Sequence, residues 1–370
     1  MFPPAAYALL DEARRRAGRA LDAAGLGPVE AQSRVAAELP GPARLRAYQP
    51  PGAPAAGQPV LLIVPAPIKR AYVWDLLPEV SVVRRCLGHG LPVYLLEWLD
   101  PGPAEDGFGL ADHAERLPLA ALDAVAAETG EAAAVLAGHS LGGTFAAILA
   151  SLHPERVRGM VLVDAPLAFG PDRGGPLARA VAAAPHARTL RGMAGSPVPG
   201  SFTALLSAAA APEAFVVQRW SDLRASAGDP LAAAIHARVE RWALDELAMP
   251  GRLFEEVLER LYREDRLAAG TLKVGGRPAR LDRLRGPVLA VVNPPGRVVP
   301  PASVLDGLAS MPREVPRRVL QYEGERGPAL QHLGPLVGPE AHARLWPDIL
   351  DWVAACPIEG QDDGRQARQG

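Results

Sequence analysis

The chain has 370 residues, 49% of them hydrophobic, and its 39 basic and 41 acidic side chains leave a formal net charge of −2. This length suits one large α/β domain with an insertion, or two average domains. The charge balance contains neither a basic stripe nor an acidic tail, so we expect no nucleic-acid partner. No run of 18 or more apolar residues occurs, so the sequence predicts no membrane span.

The two cysteines and the N-terminus concern the compartment of the protein. Cys86 and Cys356 lie far apart and outside any metal-type spacing, which favours a reducing environment. Charged residues at positions 11–16 interrupt the N-terminal stretch, which therefore lacks the apolar core of a signal peptide. We therefore expect a cytoplasmic protein.

Predicted elements alternate along most of the chain. Residues 5–38 have the pattern of two amphipathic helices, and we assign residues 1–50 to an N-terminal helical segment. A Pro/Gly/Ala-rich stretch over 48–59 separates that segment from the first predicted strand. The predicted strands are residues 60–67, 91–98, 132–138, 157–166, 286–296 and 317–325, and helices are predicted over 81–90, 110–130, 141–153 and 338–356. This alternation predicts a mostly parallel, doubly wound α/β sheet with helices on both faces.

One block departs from the alternation. From residue 167 to 285 the pattern is mainly helical for about 120 residues, which is too long for a simple crossover. We assign this block to a helical cap inserted into a core made of residues 51–166 and 286–356. The last residues, 357–370, have the composition of a disordered tail.

A short motif follows the strand at 132–138. The segment Gly-His-Ser-Leu-Gly, residues 138–142, fits the pattern Gly-x-Ser-x-Gly between a strand and a helix. In that context the serine occupies a tight, strained turn that lifts its hydroxyl above the sheet. Ser140 is therefore the candidate nucleophile, and the Leu141 N–H at the helix start is a candidate oxyanion donor.

A second oxyanion donor is expected in the loop after the strand at 60–64. Pro65 and Pro67 have no N–H, which leaves Ala66 or Ile68. We favour Ala66.

The candidate base is one of eight histidines. In the α/β-hydrolase fold the histidine lies between the last strand and the last helix, and His332 occupies that interval. His342 lies within a helical pattern and is expected on a partly exposed helix face. His139 is the variable residue of the serine motif and is expected to pack behind the serine.

The orienting acid has no obvious candidate in its usual loop. That loop, residues 293–297, reads Asn-Pro-Pro-Gly-Arg and contains no carboxylate. Asp164, at the end of the predicted strand 157–166 that follows the nucleophile helix, can reach the same histidine. Asn293 is an alternative, since an asparagine orients the histidine in Cys-His-Asn enzymes. A dyad or an inactive relic is the third possibility.

The sequence around residues 61–101 resembles poly(3-hydroxyalkanoate) synthases, as does the segment 249–291. The stretch Asp-Leu-x-Pro-x-x-Ser of that family matches residues 75–81, and the likeness extends over roughly residues 55–350. The resemblance implies an α/β-hydrolase fold with an inserted cap and an acyl-transfer reaction on hydroxyacyl groups, with no cofactor or metal.

Two departures from that family bear on the reaction. The synthases have a cysteine where Ser140 stands, and the position of their acid falls on Gly296. A serine ester ends more readily in hydrolysis than a thioester does. We therefore expect a hydrolase of a hydroxyacyl ester or thioester, with an acyl ester or acyl-CoA as the small-molecule partner. A polymerising acyltransferase and a non-catalytic accessory protein are the alternatives, and the sequence leaves a homo-oligomer open.

Overall fold

The computed structural model describes residues 3–50 and 58–356. The ten strands of this part are, in chain order, Arg34–Glu38 (β1), Ala43–Tyr48 (β2), Leu61–Val64 (β3), Val93–Trp98 (β4), Ala134–His139 (β5), Val157–Val163 (β6), Lys273–Val274 (β7), Arg277–Pro278 (β8), Val288–Val292 (β9) and Arg317–Gln321 (β10). The α-helices are Pro4–Ala23 (α1), Val82–Gly88 (α2), Leu117–Thr129 (α3), Leu141–Leu152 (α4), Gly175–Ala183 (α5), Ala187–Ala194 (α6), Gly200–Ala210 (α7), Gln218–Ser226 (α8), Pro230–Ala243 (α9), Gly251–Glu256 (α10), Pro301–Ala309 (α11), Gly334–Val337 (α12) and Trp346–Ala354 (α13).

Eight of these strands form one sheet in the order β1-β2-β4-β3-β5-β6-β9-β10. The pairs β1–β2 and β2–β4 are antiparallel, and the pairs from β4 to β10 are parallel. The carboxyl ends of β3, β5, β6, β9 and β10 therefore meet at one edge, where ligands bind in sheets of this type. The predicted doubly wound, mostly parallel α/β architecture is confirmed.

The core lies on both faces of the sheet. In β3, Leu62 and Val64 contact the apolar cluster that contains Phe145 of α4, whereas Leu61 and Ile63 contact the cluster of α13. Parallel strands that are covered on both faces are apolar at every position rather than at alternate ones. This is why the central strands were visible as continuous apolar runs.

Between β6 and β9 the chain forms α5 to α10 and the short β7–β8 hairpin. Helix α1 packs on this part: Asp11 Oδ1 accepts a hydrogen bond from Ser201 N (2.7 Å), and Asp22 pairs with Arg241 (2.7 Å). Residues 167–285 are called the cap below, and we propose that they form a unit separate from the core. Residues 357–370, predicted as a tail, and residues 51–57 of the predicted linker lie outside the described residues.

Two sequence predictions are wrong. The second helix expected before residue 38 is strand β1, and β2 follows it, so residues 34–48 belong to the main sheet and not to a helical segment. Alanine favours helix, but β1 pairs with β2 from Arg34 to Glu38, and such tertiary pairing overrides a weak local propensity.

The second wrong prediction concerns His342, which was expected on a partly exposed helix face. The residue is 1% exposed, because its Nε2 atom bonds the Leu336 carbonyl (2.8 Å) and its ring stacks on Trp346.

Within the described residues, no single helix has both the length and the apolar character needed to cross a membrane. One bent pair, Gly200–Ala210 with Glu213–Ser226, meets those two criteria only when its members are taken together.

Candidate active site

Ser140 lies in a strained turn between β5 and α4. Its backbone has φ 55° and ψ −134°, a combination that costs a residue with a side chain about 1–3 kcal/mol. The turn is held by the sheet, because Ser140 N donates to the Val163 carbonyl of β6 (3.1 Å). The strain keeps the hydroxyl at the carboxyl edge of the sheet and places Leu141 N–H in the first turn of α4.

The glycines of the motif make this turn sterically possible. A Cβ atom on Gly138 would lie 2.5 Å from Gly143 N, and one on Gly142 would overlap the Val64 carbonyl oxygen and lie 2.8 Å from Ala66 N. Only glycine therefore allows α4 to approach the loop that follows β3.

That loop carries the predicted second oxyanion donor, and both core and cap hold it. On the core side, the buried indole of Trp98 donates to the Pro65 carbonyl (2.7 Å). On the cap side, Leu247 N donates to the Ile68 carbonyl (3.0 Å), and Lys69 pairs with Glu246 (2.7 Å). The structure thus brings Ala66 N against the start of α4, where Leu141 lies.

Asp164 and His332 form a close pair. Asp164 follows β6 with φ 46°, and its backbone N–H donates to the Val291 carbonyl of β9 (2.9 Å). Its Oδ2 atom lies 2.5 Å from His332 Nδ1, and the residue is 1% exposed. Such a pair fixes the imidazole tautomer with the proton on Nδ1, so that Nε2 has a free lone pair.

Burial sets the electrostatics of this pair. It raises the pKa of the Asp164 carboxyl, and the neighbouring His332 imidazole and Asn293 amide oppose that rise. His332 Nε2 is itself buried and has no hydrogen-bond partner among the described residues. The atom that would accept a proton is therefore unengaged at the carboxyl edge of the sheet.

The backbone before His332 is also strained. Leu330 and Gln331 have φ values of 50° and 44°, and such left-handed conformations are uncommon for residues other than glycine. Asn293 Nδ2 donates to the Gln331 carbonyl (3.1 Å). Asn293 therefore holds the loop, while Asp164 is the residue bonded to the imidazole.

His139 takes part in a contact that the sequence did not indicate. Its Nε2 donates to the carbonyl of His332 (2.8 Å), and the two rings lie 4.3 Å apart between centroids. Burial lowers the pKa of His139 well below 6.5, which keeps the ring neutral. This contact joins the serine turn to the histidine loop. In the sequence, only the position of His139 next to Ser140 in the Gly-x-Ser-x-Gly motif pointed to a role near the site.

At Gly296, where the resemblance places an acid, any side chain would have to displace the Asn293 amide. A Cβ atom there would lie 2.7 Å from Asn293 Nδ2. Because β6 and β9 are neighbouring parallel strands, Asp164 reaches the same edge from one strand away.

The same residues could also be considered as metal ligands. Donor atoms of His139, Asp164 and His332 lie within 4.8 Å of one another. Two hydrogen bonds already engage these residues, from His139 Nε2 to the His332 carbonyl and between Asp164 Oδ2 and His332 Nδ1, and both would compete with an ion for the same side chains. The hydrogen bonding fits a hydrolase-type site better than a metal centre.

The motif shared with the synthases around Asp75 has a structural role. Asp75 is buried and accepts hydrogen bonds from Ala31 N and from the Ser81 hydroxyl, each 2.5 Å long. Ser81 in turn caps α2 by accepting from Arg84 N (2.9 Å). The motif thus joins the segment before β1 to the start of α2.

A strained serine after β5, a histidine after β10 and a buried carboxylate bonded to that histidine are the kinds of residue that a hydrolase-type site uses, and they follow strands of one doubly wound sheet. In agreement, residues 96–310 match the model of the alpha/beta hydrolase fold family. The chain belongs to the alpha/beta hydrolase fold family.

More specific relatives confirm the predicted resemblance to poly(3-hydroxyalkanoate) synthases. The chain is 30% identical to the poly(3-hydroxyalkanoate) polymerase subunit PhaC of Haloferax mediterranei, over 82% of this chain and 60% of that protein. It is 26% identical to the PhaC subunit of Allochromatium vinosum, over 82% of this chain and 83% of that protein. The chain therefore spans less than two thirds of the Haloferax relative.

Solved structures support the fold. An esterase from Thermogutta terrifontis superposes with a TM-score of 0.51 at 20% identity, covering 88% of this chain and 100% of the esterase.

Proposed function

We propose that this chain is an acyl-transfer enzyme with a serine nucleophile, which hydrolyses a hydroxyacyl ester or thioester. One observation carries the proposal. The buried Asp164 carboxylate is bonded to His332 Nδ1 (2.5 Å), and Nε2 of the same ring is left without a partner among the described residues. A buried carboxylate behind the imidazole is the arrangement that fixes its tautomer and stabilises the imidazolium during acyl transfer.

The proposed reaction has two halves. Ser140 Oγ attacks the acyl carbonyl carbon while His332 Nε2 accepts the hydroxyl proton, and Asp164 stabilises the resulting imidazolium. His332 then gives this proton to the departing alkoxide or thiolate. In the second half, His332 takes a proton from water, hydroxide attacks the acyl-serine, and the acid is released as Ser140 regains its proton.

Two backbone N–H groups are proposed to bind the oxyanion. Leu141 N–H belongs to the first turn of α4, and Ala66 N–H faces that turn across Gly142. Removing one such donor typically raises the barrier by about 3 kcal/mol. The contacts of Lys69 and Ile68 with residues 246 and 247 support a role for the cap in holding this loop.

The substrate class comes from the relatives. Two polymerases of 3-hydroxyalkanoates match about four fifths of this chain, so we propose a 3-hydroxyacyl group on an alcohol or on coenzyme A. The same similarity favours a second candidate function, polymerisation of hydroxyacyl-CoA, in which the hydroxyl of a second hydroxyacyl group replaces water.

Labelling by a fluorophosphonate tests the nucleophile. The wild-type chain should become labelled, and Ser140→Ala should not. Ser151→Ala is the matched control, since Ser151 is buried on the same helix and its hydroxyl donates to the Ile148 carbonyl of that helix (2.8 Å). Absence of labelling in the wild type would support a non-catalytic accessory protein and overturn the proposal.

The products then separate the two enzymatic candidates. With 3-hydroxybutyryl-CoA, release of coenzyme A together with free 3-hydroxybutyrate supports the hydrolase. Release of coenzyme A with chloroform-soluble polymer and little free acid supports the polymerase. Both activities should disappear in Ser140→Ala.

A further inference from the structure

We propose that Asp222, in the cap, is a positioning residue for His332, so that the histidine is correctly placed only while the cap holds its loop. The inference deepens the proposed function and rests on it for the role of His332. Asp222 lies on α8, is 6% exposed and does not contact the imidazole. Its effect passes through the backbone of the loop.

The contact is bidentate. Asp222 Oδ1 accepts a hydrogen bond from Ala329 N (2.7 Å), and Oδ2 accepts one from Leu330 N (3.1 Å). Gln218, one turn earlier on α8, donates to Oδ1 as well (3.0 Å). One carboxylate therefore binds two consecutive N–H groups immediately before the residues that lead to His332.

One of these N–H groups, that of Leu330, belongs to the strained part of the loop, and the other, that of Ala329, comes directly before it. Leu330 and Gln331 are both left-handed, and such a conformation persists only where the surroundings hold it. From the core side Asn293 binds the Gln331 carbonyl; from the cap side Asp222 binds the Leu330 N–H. Without Asp222 the support from the cap is lost, while Asn293 and His139 still bind the carbonyls of Gln331 and His332. The backbone at Leu330 can then relax toward ordinary angles.

The charge of Asp222 also favours a specific role. Among the described residues no lysine, arginine or histidine forms an ion pair with it, and its recorded partners are the two backbone N–H groups and the Gln218 amide. A buried carboxylate is costly unless hydrogen bonds stabilise it. The Asp222 carboxylate is buried in the cap and its hydrogen bonds go to the histidine loop of the core. It therefore links the cap to the loop that carries His332.

The first test measures the rate of fluorophosphonate labelling of Ser140. Asp222→Ala should slow labelling and lower kcat by up to about a hundredfold with little change in KM, because displacing a catalytic group by about 1 Å has an effect of that size. Asp222→Asn keeps one acceptor oxygen and should recover part of the rate. Asp229→Ala is the control, since Asp229 also accepts from two backbone N–H groups of the cap, Leu231 and Ala232; it should label at the wild-type rate.

The second test does not depend on activity. The short Asp164–His332 bond should give a strongly deshielded proton resonance that is absent in His332→Ala. This resonance should shift or broaden in Asp222→Ala and Asp222→Asn, and remain in Asp229→Ala.

The outcomes are separable. An unchanged resonance together with an unchanged labelling rate in folded Asp222→Asn and Asp222→Ala overturns the inference and leaves the proposed function intact. A wild-type chain that fails to label, with a resonance that still responds to Asp222, overturns the proposed function and keeps Asp222 as the residue that positions His332. If Asp222→Ala fails to fold, the labelling rate and the resonance of Asp222→Asn decide the test, because asparagine has nearly the same shape as aspartate.

Discussion

Asp164 Oδ2 lies 2.5 Å from His332 Nδ1, although 168 positions separate the two residues in the sequence. The carboxylate comes from the end of β6, whereas the loop after β9 contributes Asn293 to the backbone of the histidine loop. Because β6 and β9 are parallel neighbours, their carboxyl ends deliver side chains to the same edge. The acid that contacts the histidine can therefore be supplied by the end of β6 or by the end of β9, with the histidine at the same position in both cases.

The first prediction concerns this acid. Asp164→Asn should lower kcat by about 10⁴-fold, because an amide in place of the carboxylate favours the wrong imidazole tautomer and does not stabilise the imidazolium. The measurement is steady-state hydrolysis of a 3-hydroxyacyl thioester, with circular dichroism to verify folding.

Asn293→Ala is the matched comparison for Asp164→Asn. It removes the bond to the Gln331 carbonyl and the effect of the amide on the Asp164 carboxyl, but it leaves the carboxylate bonded to His332. Its effect on kcat should therefore be clearly smaller. Were Asn293→Ala the more damaging of the two, Asn293 rather than Asp164 would be the orienting residue.

The second prediction concerns the strain at Ser140. Glycine adopts positive φ freely, so Ser140→Gly should be more stable than Ser140→Ala by about 1 kcal/mol. Urea unfolding of the two inactive variants measures the difference. Equal midpoints would mean that the turn is not strained in solution.

The third prediction concerns the close approach at Gly142. A Cβ atom there would overlap the Val64 carbonyl, so Gly142→Ala should displace the loop of Ala66 and lower stability by several kcal/mol, on the order of the largest single-residue effects. Gly192→Ala provides the control, because that glycine lies in the exposed part of α6 with nothing within 4 Å of an added Cβ. It should stabilise the protein by up to about 1 kcal/mol. A melting temperature of Gly142→Ala close to that of the wild type would contradict the packing described for the turn.

The fourth prediction concerns stability in acid. Burial lowers the pKa of His342 from 6.5 to about 4, so between these values the unfolded chain binds a proton that the folded chain does not. The free energy of unfolding should therefore fall as the pH drops from 6.5 to 4, by about 1.4 kcal/mol per pH unit for this residue, and level off below.

Urea titrations of His342→Gln between pH 6.5 and 4 test that prediction. The slope of the unfolding free energy against pH should decrease by about 1.4 kcal/mol per pH unit, the contribution of one proton that the unfolded chain no longer binds. A slope unaltered by His342→Gln would mean that the buried ring is protonated in the folded chain.

The central strands, the serine turn and the position of His332 could be predicted from the sequence. Each depends on local chemistry: apolar runs where a parallel strand is covered on both faces, glycines where a turn has no room for a Cβ atom, and a histidine between the last strand and the last helix. The N-terminal strands could not be predicted, since β1 is an edge strand of alanine and charged residues whose local preference is helical. Its conformation is decided by hydrogen bonds to β2.

For the candidate acid, too, part of the answer lies in the sequence and part only in the tertiary structure. The sequence by itself determined that the usual loop, residues 293–297, has no carboxylate, and it left Asp164, Asn293 and a dyad open. Only the tertiary structure decided which group contacts the imidazole, because that depends on the order of strands in the sheet and on burial. It also brought Asp222 from the cap and His139 from the serine turn onto the histidine loop. Both contacts are between backbone and side chain over long sequence separations, and such contacts leave no periodic pattern in a sequence.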